Sequence, residues 1–336
     1  MQSLSTSLLR CAACLGIFSA SLVLAESPAT RRPVVATTAP LPWTGCFLPE
    51  APAGACGEAW GPTDSACDPD RFLNQAAYRA APEAAPPEFP LPAPLPVQWH
   101  IFLREDGSGD VLDEVLEEYL ARVNALFAPA GFGLATAGVH RHARPDLARC
   151  VVKITPAMLT DPDFPICGEA SPYSVGLDPE KNINAYVVDL EGPTAFALDP
   201  CLFPPGDARD GIHISRQVFS RPDKAVLAHE FGHYFGLLHT FHTWRWAEEG
   251  KDPVCQDADN DFVADTLPQR SYLTLRDVDC DNPPTTCPGS DRPDLLTNIM
   301  QYSPCLTAGN GSFTPGQLRR MQWKIVQERP GLLTDP

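Results

Sequence analysis

The chain has 336 residues, enough for one enzyme domain of ordinary size with additional segments. It carries 25 basic and 42 acidic residues, a formal charge of −17. This balance argues against nucleic acid or an anionic membrane surface as a partner.

The first 25 residues predict an export signal. Arg10 supplies a positive charge, an apolar run follows over residues 11–24, and Val23-Leu24-Ala25 offers small residues for cleavage. A membrane anchor is the alternative, but the run is short and stable membrane insertion is not expected. A lipoprotein is a second alternative, for which the two leader cysteines lack a convincing context. We expect residues 1–25 to be removed from a protein secreted outside the cell or into the cell envelope.

Residues 26–93 are rich in proline, alanine and glycine and show no periodicity. This composition indicates a linker, a prosegment or a loop-rich extension stapled by cysteines. Regular elements are predicted only after it, so residues 94–336 are expected to form the main folded domain.

Alternation of apolar residues favours strands, and apolar residues at helical spacing over 111–127 favour an amphipathic helix. We expect the strand over 211–215 to form the edge of a cleft along which an extended chain can pair. In chain order the prediction is a strand over 97–102, the helix over 111–127, strands over 151–154, 183–188 and 211–215, a helix containing His229, and a closing helix over 315–327.

The segment HEFGHYFGLLH, which begins at His229, carries the chemistry. In a helix, residues four apart lie on one face, so His229 and His233 can direct imidazole nitrogens at one metal ion. Gly236 can adopt the left-handed conformation that ends the helix and lets His239 return as a third ligand. Three protein ligands leave a fourth position for water, with Glu230 beside it as a general base. The alternative, an amphipathic core helix, does not need three histidines at this spacing.

The segment resembles the long zinc-binding consensus of the metzincin metalloproteases, with every fixed position present. Metzincins also carry a methionine turn, and Asn-Ile-Met-Gln-Tyr over residues 298–302 follows about sixty residues downstream. Within the metzincins the pappalysin-type group matches best, through HTF from His239, DFVADT from Asp261, this turn, and FTPGQ from Phe313. The resemblance covers roughly residues 225–325 and is weaker over 95–224.

The resemblance implies an α+β fold, with a mixed sheet and the zinc helix in an upper subdomain. A loop-rich lower subdomain with a C-terminal helix would follow. One catalytic Zn²⁺ would be held by His229, His233 and His239, and the activity would be hydrolysis of peptide bonds in protein or peptide substrates. Tyr302 would stabilise the oxyanion, and Met300 would form a soft floor under the imidazoles without binding metal.

The resemblance has one departure that concerns specificity. Related enzymes that cut beside arginine carry acidic residues just after the turn tyrosine. Ser303-Pro304-Cys305 offers none, so an arginine preference is not implied.

A structural calcium site is also implied by the resemblance. Its ligands would be the Asp261 carboxylate, the Thr266 hydroxyl and the main-chain oxygens of Val263 and Gln269. The acidic run from Asp257 is not an EF-hand, because its sixth position is phenylalanine and its twelfth is proline. The alternative is an acidic surface turn.

Removal of the leader leaves ten of the twelve cysteines, an even number that predicts disulfides in an exported chain. The resemblance suggests Cys255 with Cys287 and Cys280 with Cys305. Three of the other six precede the catalytic domain and three lie inside it. Either at least one bridge crosses between these groups, or one cysteine on each side is free. A free thiol among Cys46, Cys56 and Cys67 could block the zinc, whereas disulfides in a permanent extension are the alternative.

We also consider two rival functions, a binding module on a degenerate protease fold and a zinc hydrolase that acts on something other than peptides. The first would be favoured by loss of a ligand, of Glu230 or of Tyr302, and none is lost. Oligomeric state is not predicted. Four histidines outside the motif are expected to be strand or surface residues: His100, His140, His142 and His213. His242 is expected to lie near the metal or on the surface and not to be a ligand.

Overall fold

The computed structural model describes residues 91, 94–151, 167, 172–191, 194–197, 206–207, 209–220, 225–241, 255, 261, 263–270, 278–288, 290, 292–307 and 309–334. The leader and nearly all of residues 26–93 lie outside this part of the chain. The boundaries of the leader, the extension and the catalytic domain therefore stay predictions.

A six-stranded mixed sheet forms the upper half of the molecule. Its strands are β1 (Leu95–Phe102), β2 (Leu134–His142), β3 (Arg149–Val151), β4 (Ile183–Glu191), β5 (Ala195–Ala197) and β6 (Gly211–Ser215). The order across the sheet is β2-β1-β4-β6-β5. The first four strands in this order run parallel, β5 pairs antiparallel with β6, and β3 pairs with the end of β4.

Two helices, α1 (Asp113–Phe127) and α2 (Ala225–Tyr234), pack against one face of this sheet. Alternation along β1 places Val97, Trp99 and Ile101 toward the helices, where they are fully buried. Helix α1 has acidic residues in its first turn, which favour its positively polarised N-terminus. The core between sheet and helices fixes the position of α2 relative to the strands.

The prediction that the strand over 211–215 forms the cleft edge is wrong. β6 has the predicted bounds, but it lies between β4 and β5, so among the described strands β5 is the edge on this side. β5 has only three residues, Ala-Phe-Ala, too few to produce an alternating pattern that the sequence would reveal. Pairing with β6, a tertiary contact, is what makes this segment a strand.

The other predicted elements agree with the structure, with small shifts at their ends. The strand expected over 151–154 is represented by β3, and residues 152–154 lie outside the described residues. β2 was not predicted. Its sequence, LATAGVHRH, alternates poorly because much of the strand is only partly buried. The predicted strand histidines, His100, His140, His142 and His213, all lie in strands, and His242 is outside the described part.

The lower half is loop-rich and ends in helix α3 (Pro315–Glu328). Thr314 caps α3 through a reciprocal capping box with Gln317, and proline occupies the first turn, so the sequence specifies where this helix begins. Two disulfides tie the loops, Cys255–Cys287 and Cys280–Cys305, which confirms the suggested pairing.

A third disulfide joins Cys150 to Cys167. Of the ten cysteines after the leader, the four that remain are Cys46, Cys56, Cys67 and Cys201, and all four lie outside the described residues.

Candidate metal centre

Helix α2 carries the first two histidines of the motif. Its described side chains are buried apart from that of Val226, because the helix lies between the sheet and the lower loops. His229 and His233 are one turn apart, and their Nε2 atoms are 3.1 Å from each other. The spacing in the sequence therefore produces the expected pair on one face of the helix.

Gly236 ends the helix and turns the chain, as predicted. Its φ is +81°, in the left-handed region. The Gly236 N–H donates to His233 O at 2.7 Å and the Leu237 N–H donates to Gly232 O at 2.9 Å, the pair of bonds that closes a helix C-terminus. A side chain at 236 would also collide with the stem of Lys324. The turn returns His239 to the helix, with its Nε2 3.2 Å from that of His229 and 3.1 Å from that of His233.

The outer nitrogens of the two helical histidines fix their tautomers. His229 Nδ1 lies 2.6 Å from Ile299 O and His233 Nδ1 lies 2.8 Å from Leu237 O. A carbonyl oxygen can only accept, so each Nδ1 carries the proton and each Nε2 presents a lone pair. Burial lowers the pKa of His229 to about 4, which keeps this ring neutral.

Three Nε2 atoms thus converge within 3.2 Å, at least two of them with lone pairs facing each other. Lone pairs repel unless an electrophile lies between them, so the donor set fits a metal ion. Neutral imidazole nitrogens in a three-ligand arrangement suit zinc. Among the described residues, this is the one cluster of three or more histidine, cysteine or acidic side chains close enough to share an ion.

Glu230 lies next to the first histidine and is 2% exposed. Burial raises the pKa of its carboxyl to about 8, although a hydrogen bond from the Ala197 N–H opposes that rise. Within the described part of the chain, Oε2 of Glu230 has no hydrogen-bond partner. A buried carboxylate with an unused oxygen, next to a metal-binding triad, can accept a proton from a reacting water. The contact with β5 at Ala197 was not foreseen from the sequence.

The methionine turn lies against α2. The Met300 N–H donates to Asn298 Oδ1 at 2.9 Å, and the Asn298 amide exchanges hydrogen bonds with Gln317 of α3. Met300 is fully buried, and its sulfur approaches Gly232 so closely that a Cβ there would lie 2.7 Å away. Met300 therefore lies against the helix that carries His229 and His233, and its role as a floor under the imidazoles stays a prediction. The need for glycine at 232 becomes visible only in the structure.

The Tyr302 ring lies beside two histidines of the triad, 5.5 Å from the His229 ring and 4.8 Å from the His239 ring, measured between centroids. Phe241 stacks on His239 at 4.6 Å and 8°, and its ring centroid also lies 5.1 Å from that of Tyr302. The turn tyrosine is therefore adjacent to the triad, although sixty-three positions separate it from His239 in the sequence.

The loop predicted to bind calcium brings three of its four candidate residues together. Thr266 Oγ1 lies 2.6 Å and 2.7 Å from the two carboxylate oxygens of Asp261, and 2.7 Å from Val263 O. Asp261 is 1% exposed, and burial raises the pKa of its carboxyl to about 7. The fourth candidate ligand, the main-chain oxygen of Gln269, stays a prediction; the side chain of this buried residue hydrogen-bonds to Thr240 and to the Leu295 N–H. The preceding Asp257 and Asp259 lie outside the described residues.

Comparison with known proteins agrees with this geometry. A sequence profile of the family described as pregnancy-associated plasma protein-A, a peptidase family, matches residues 208–326, which contain the triad, Glu230 and the methionine turn. This region of the chain is similar to that family. The family match thus confirms the resemblance inferred from the motifs.

Curated proteins that are similar to this chain are named extracellular metalloproteases. One from Aspergillus fumigatus is 40% identical over 168 residues, which are 45% of this chain and 47% of the relative. One from Colletotrichum graminicola is 27% identical over 224 residues, which are 64% of this chain and 69% of the relative. The match to the Aspergillus protein thus spans about half of its length.

Two solved structures resemble the fold. A promirolysin mutant from Tannerella forsythia has a TM-score of 0.54 at 16% identity, over 80% of this chain and 94% of that one. Mirolysin in complex with a compound has a TM-score of 0.51 at 18% identity, over 73% of this chain and 99% of that one. At this identity the likeness establishes the mixed sheet with its helices, which is the predicted α+β fold. No helix in the described residues has the length and apolar character needed to cross a membrane.

Proposed function

We propose that this protein is a secreted zinc endopeptidase. The observation that carries the proposal is the convergence of three buried imidazole nitrogens beside the buried carboxyl of Glu230, within a pappalysin-type region. His229, His233 and His239 would hold the zinc. Zinc in proteins usually has four ligands, so these three histidines would leave one position for a water. Zinc bound there supplies a Lewis acid that polarises the scissile carbonyl and makes water a better nucleophile at neutral pH.

Glu230 performs the proton transfers. Its free Oε2 accepts a proton as water attacks the carbonyl carbon, and the protonated carboxyl then delivers that proton to the leaving amine. The Ala197 N–H holds the other side of the carboxylate, so the proton-accepting oxygen keeps its orientation. Tyr302, next to His229 and His239, stabilises the negative charge that develops on the carbonyl oxygen.

The substrate lies extended along β5, the edge strand. β5 pairs on one side with β6, and its position at the end of the sheet order supports main-chain pairing with a peptide. Ala197 belongs to β5 and also contacts Glu230, so this pairing would bring a peptide next to the general base. Residues 303–305 provide no carboxylate, which supports a specificity other than cleavage beside arginine.

The proposal is tested with Glu230→Gln and Glu230→Ala. We expect both variants to bind one zinc per chain and to cleave casein or gelatin at least about 10²-fold more slowly, the usual contribution of a positioned acid–base group. Glu118→Gln, on the exposed face of α1, is the matched control and should cleave at the wild-type rate. If Glu230→Ala retains zinc and near wild-type cleavage, Glu230 is not the general base.

Calcium is proposed as a structural cofactor of the loop over residues 261–269. Thr266 Oγ1 already lies within hydrogen-bonding distance of the Asp261 carboxylate and of Val263 O, and hard oxygen ligands suit calcium. The raised pKa of Asp261 supports a cation here, because a nearby positive charge would stabilise the buried carboxylate.

Secretion is supported by the three disulfides and by relatives named extracellular. Within this proposal, residues 1–25 are the export signal and residues 26–93 an extension or prosegment. A zinc-blocking thiol from Cys46, Cys56 or Cys67 is one role for the extension, and disulfide stapling is the other.

A further inference from the structure

Gln269 is a buried glutamine that joins two segments near the triad. It is 1% exposed, and its Oε1 accepts from the Leu295 N–H at 2.6 Å while its Nε2 donates to Thr240 Oγ1 at 2.7 Å. The orientation of the amide is determined by chemistry, because a backbone N–H can only donate and therefore faces the oxygen. Gln269 thus links the loop over 263–270 to the segment leading into the methionine turn and to Thr240.

Thr240 is the residue directly after His239 and is fully buried. Its backbone N–H donates to Met300 O at 3.2 Å, and its hydroxyl accepts from Gln269. The peptide that follows His239 is therefore held on two sides, by the methionine turn and by the amide of Gln269.

His239 needs such support more than the other two histidines. His229 and His233 lie on α2, so the helix backbone sets their separation. His239 comes after the turn at Gly236, outside any regular element, and its position depends on tertiary contacts. Yet its Nε2 is as close to the other two as they are to each other.

We propose that Gln269 is a positioning residue for the third zinc ligand, acting on His239 through Thr240. This rests on the zinc role of the triad in the proposed function. By fixing the peptide after His239, the amide keeps the imidazole close to its position for binding before the ion arrives, so less ordering accompanies zinc binding. The side chain performs this task, separately from any role of the main-chain oxygen of residue 269 toward calcium.

The test uses Gln269→Met, Thr240→Val and the double variant, and it measures zinc affinity by competition with a chelator. Methionine and valine preserve approximate size and remove the donor or the acceptor. We expect each single variant to bind zinc about 10- to 100-fold more weakly, the usual effect of losing an outer partner of a metal ligand. Because both changes break the same contact, the double variant should be no weaker than the single ones. Thr240→Ser, which keeps the hydroxyl, should retain wild-type affinity.

Gln322→Met is the matched control. Gln322 is 3% exposed on α3, and its amide donates to Ala130 O, in the segment between α1 and β2. This variant should lower the melting temperature and leave zinc affinity unchanged. The visible absorption spectrum of the cobalt(II)-loaded protein adds a second readout, which should change in Gln269→Met and stay the same in Gln322→Met.

Wild-type zinc affinity and an unchanged cobalt spectrum in Gln269→Met would overturn the proposal, and so would losses that add in the double variant. If Gln269→Met fails to fold, the comparison of Thr240→Val with Thr240→Ser decides by the same criteria. A wild-type chain that binds zinc but cleaves no peptide would contradict the proposed function alone. A wild-type chain that binds no zinc would overturn both.

Discussion

Replacement of Arg329 by methionine should destabilise the fold strongly. Arg329 follows α3 and is 1% exposed, and it forms two hydrogen bonds with Asp210, which is fully buried just before β6. The Arg329 Nε also donates to the main-chain carbonyl of Tyr234 at 3.2 Å. The guanidinium carbon of Arg329 lies 3.7 Å from the centre of the Tyr234 aromatic ring. One cation therefore joins the sheet, the last helix and the C-terminal end of the zinc helix, where a positive charge is favourable.

The magnitude follows from what the substitution leaves behind. Without Arg329, the Asp210 carboxylate remains in an environment that already raises its pKa by desolvation. Removing one partner of a buried ion pair costs about 3–5 kcal/mol. Domains unfold with about 5–15 kcal/mol in total, so this loss is a large share of the stability. At roughly 2–4 °C per kcal/mol for a domain of this size, the melting temperature should fall by about 6–20 °C.

The assay is urea unfolding of the isolated variants at neutral pH. Arg122→Met is the control, because Arg122 forms an exposed pair with Glu118 and should contribute less than about 1 kcal/mol. The double variant Asp210→Leu/Arg329→Met removes both charges and should be more stable than Arg329→Met alone. The reasoning is refuted if Arg329→Met unfolds at the same urea concentration as Arg122→Met, or if the double variant loses the sum of both single effects.

Three further predictions concern calcium, acid and latency. Millimolar calcium should raise the melting temperature of the zinc-loaded protein, since a ligand of the folded state stabilises it; equal temperatures would count against the loop over residues 261–269 as a calcium site. Burial lowers the pKa of His100 to about 4 and that of His213 to about 3, so the unfolded chain binds protons that the folded chain does not, and the free energy of unfolding should fall as pH drops from about 6.5 to about 4. His213→Phe should reduce this loss by about 1.4 kcal/mol per pH unit in urea titrations, and identical pH profiles would contradict the assignment. If a free thiol in residues 26–93 blocks the zinc, alkylation of the unreduced precursor should label one of its three cysteines, and trimming to about residue 93 should raise peptide cleavage; no labelling and no activation would favour disulfides.

The sequence by itself determined the chemistry of the centre, because that chemistry is encoded at short range. Two histidines one helical turn apart form a pair on one face, and a glycine free to adopt a positive φ turns the third histidine back toward them, all within eleven residues of sequence. Contacts with distant segments then hold that third imidazole in place. The start of α3 was also predictable, since Thr314 and Gln317 form a local capping box.

Contacts between distant segments decided the rest. Ala195–Ala197 is a strand only because β6 pairs with it, so the sequence assigned the cleft edge to β6, the stronger local pattern. The glycine at 232 is required by the Met300 sulfur, sixty-eight positions later, and the Gln269 amide meets Thr240 across twenty-nine positions. Such partners leave no periodic or spacing signal, since a buried glutamine and a helical glycine look ordinary in one sequence. The fold brings these residues to the same place by closing long loops, and only the folded chain reveals what each of them supports.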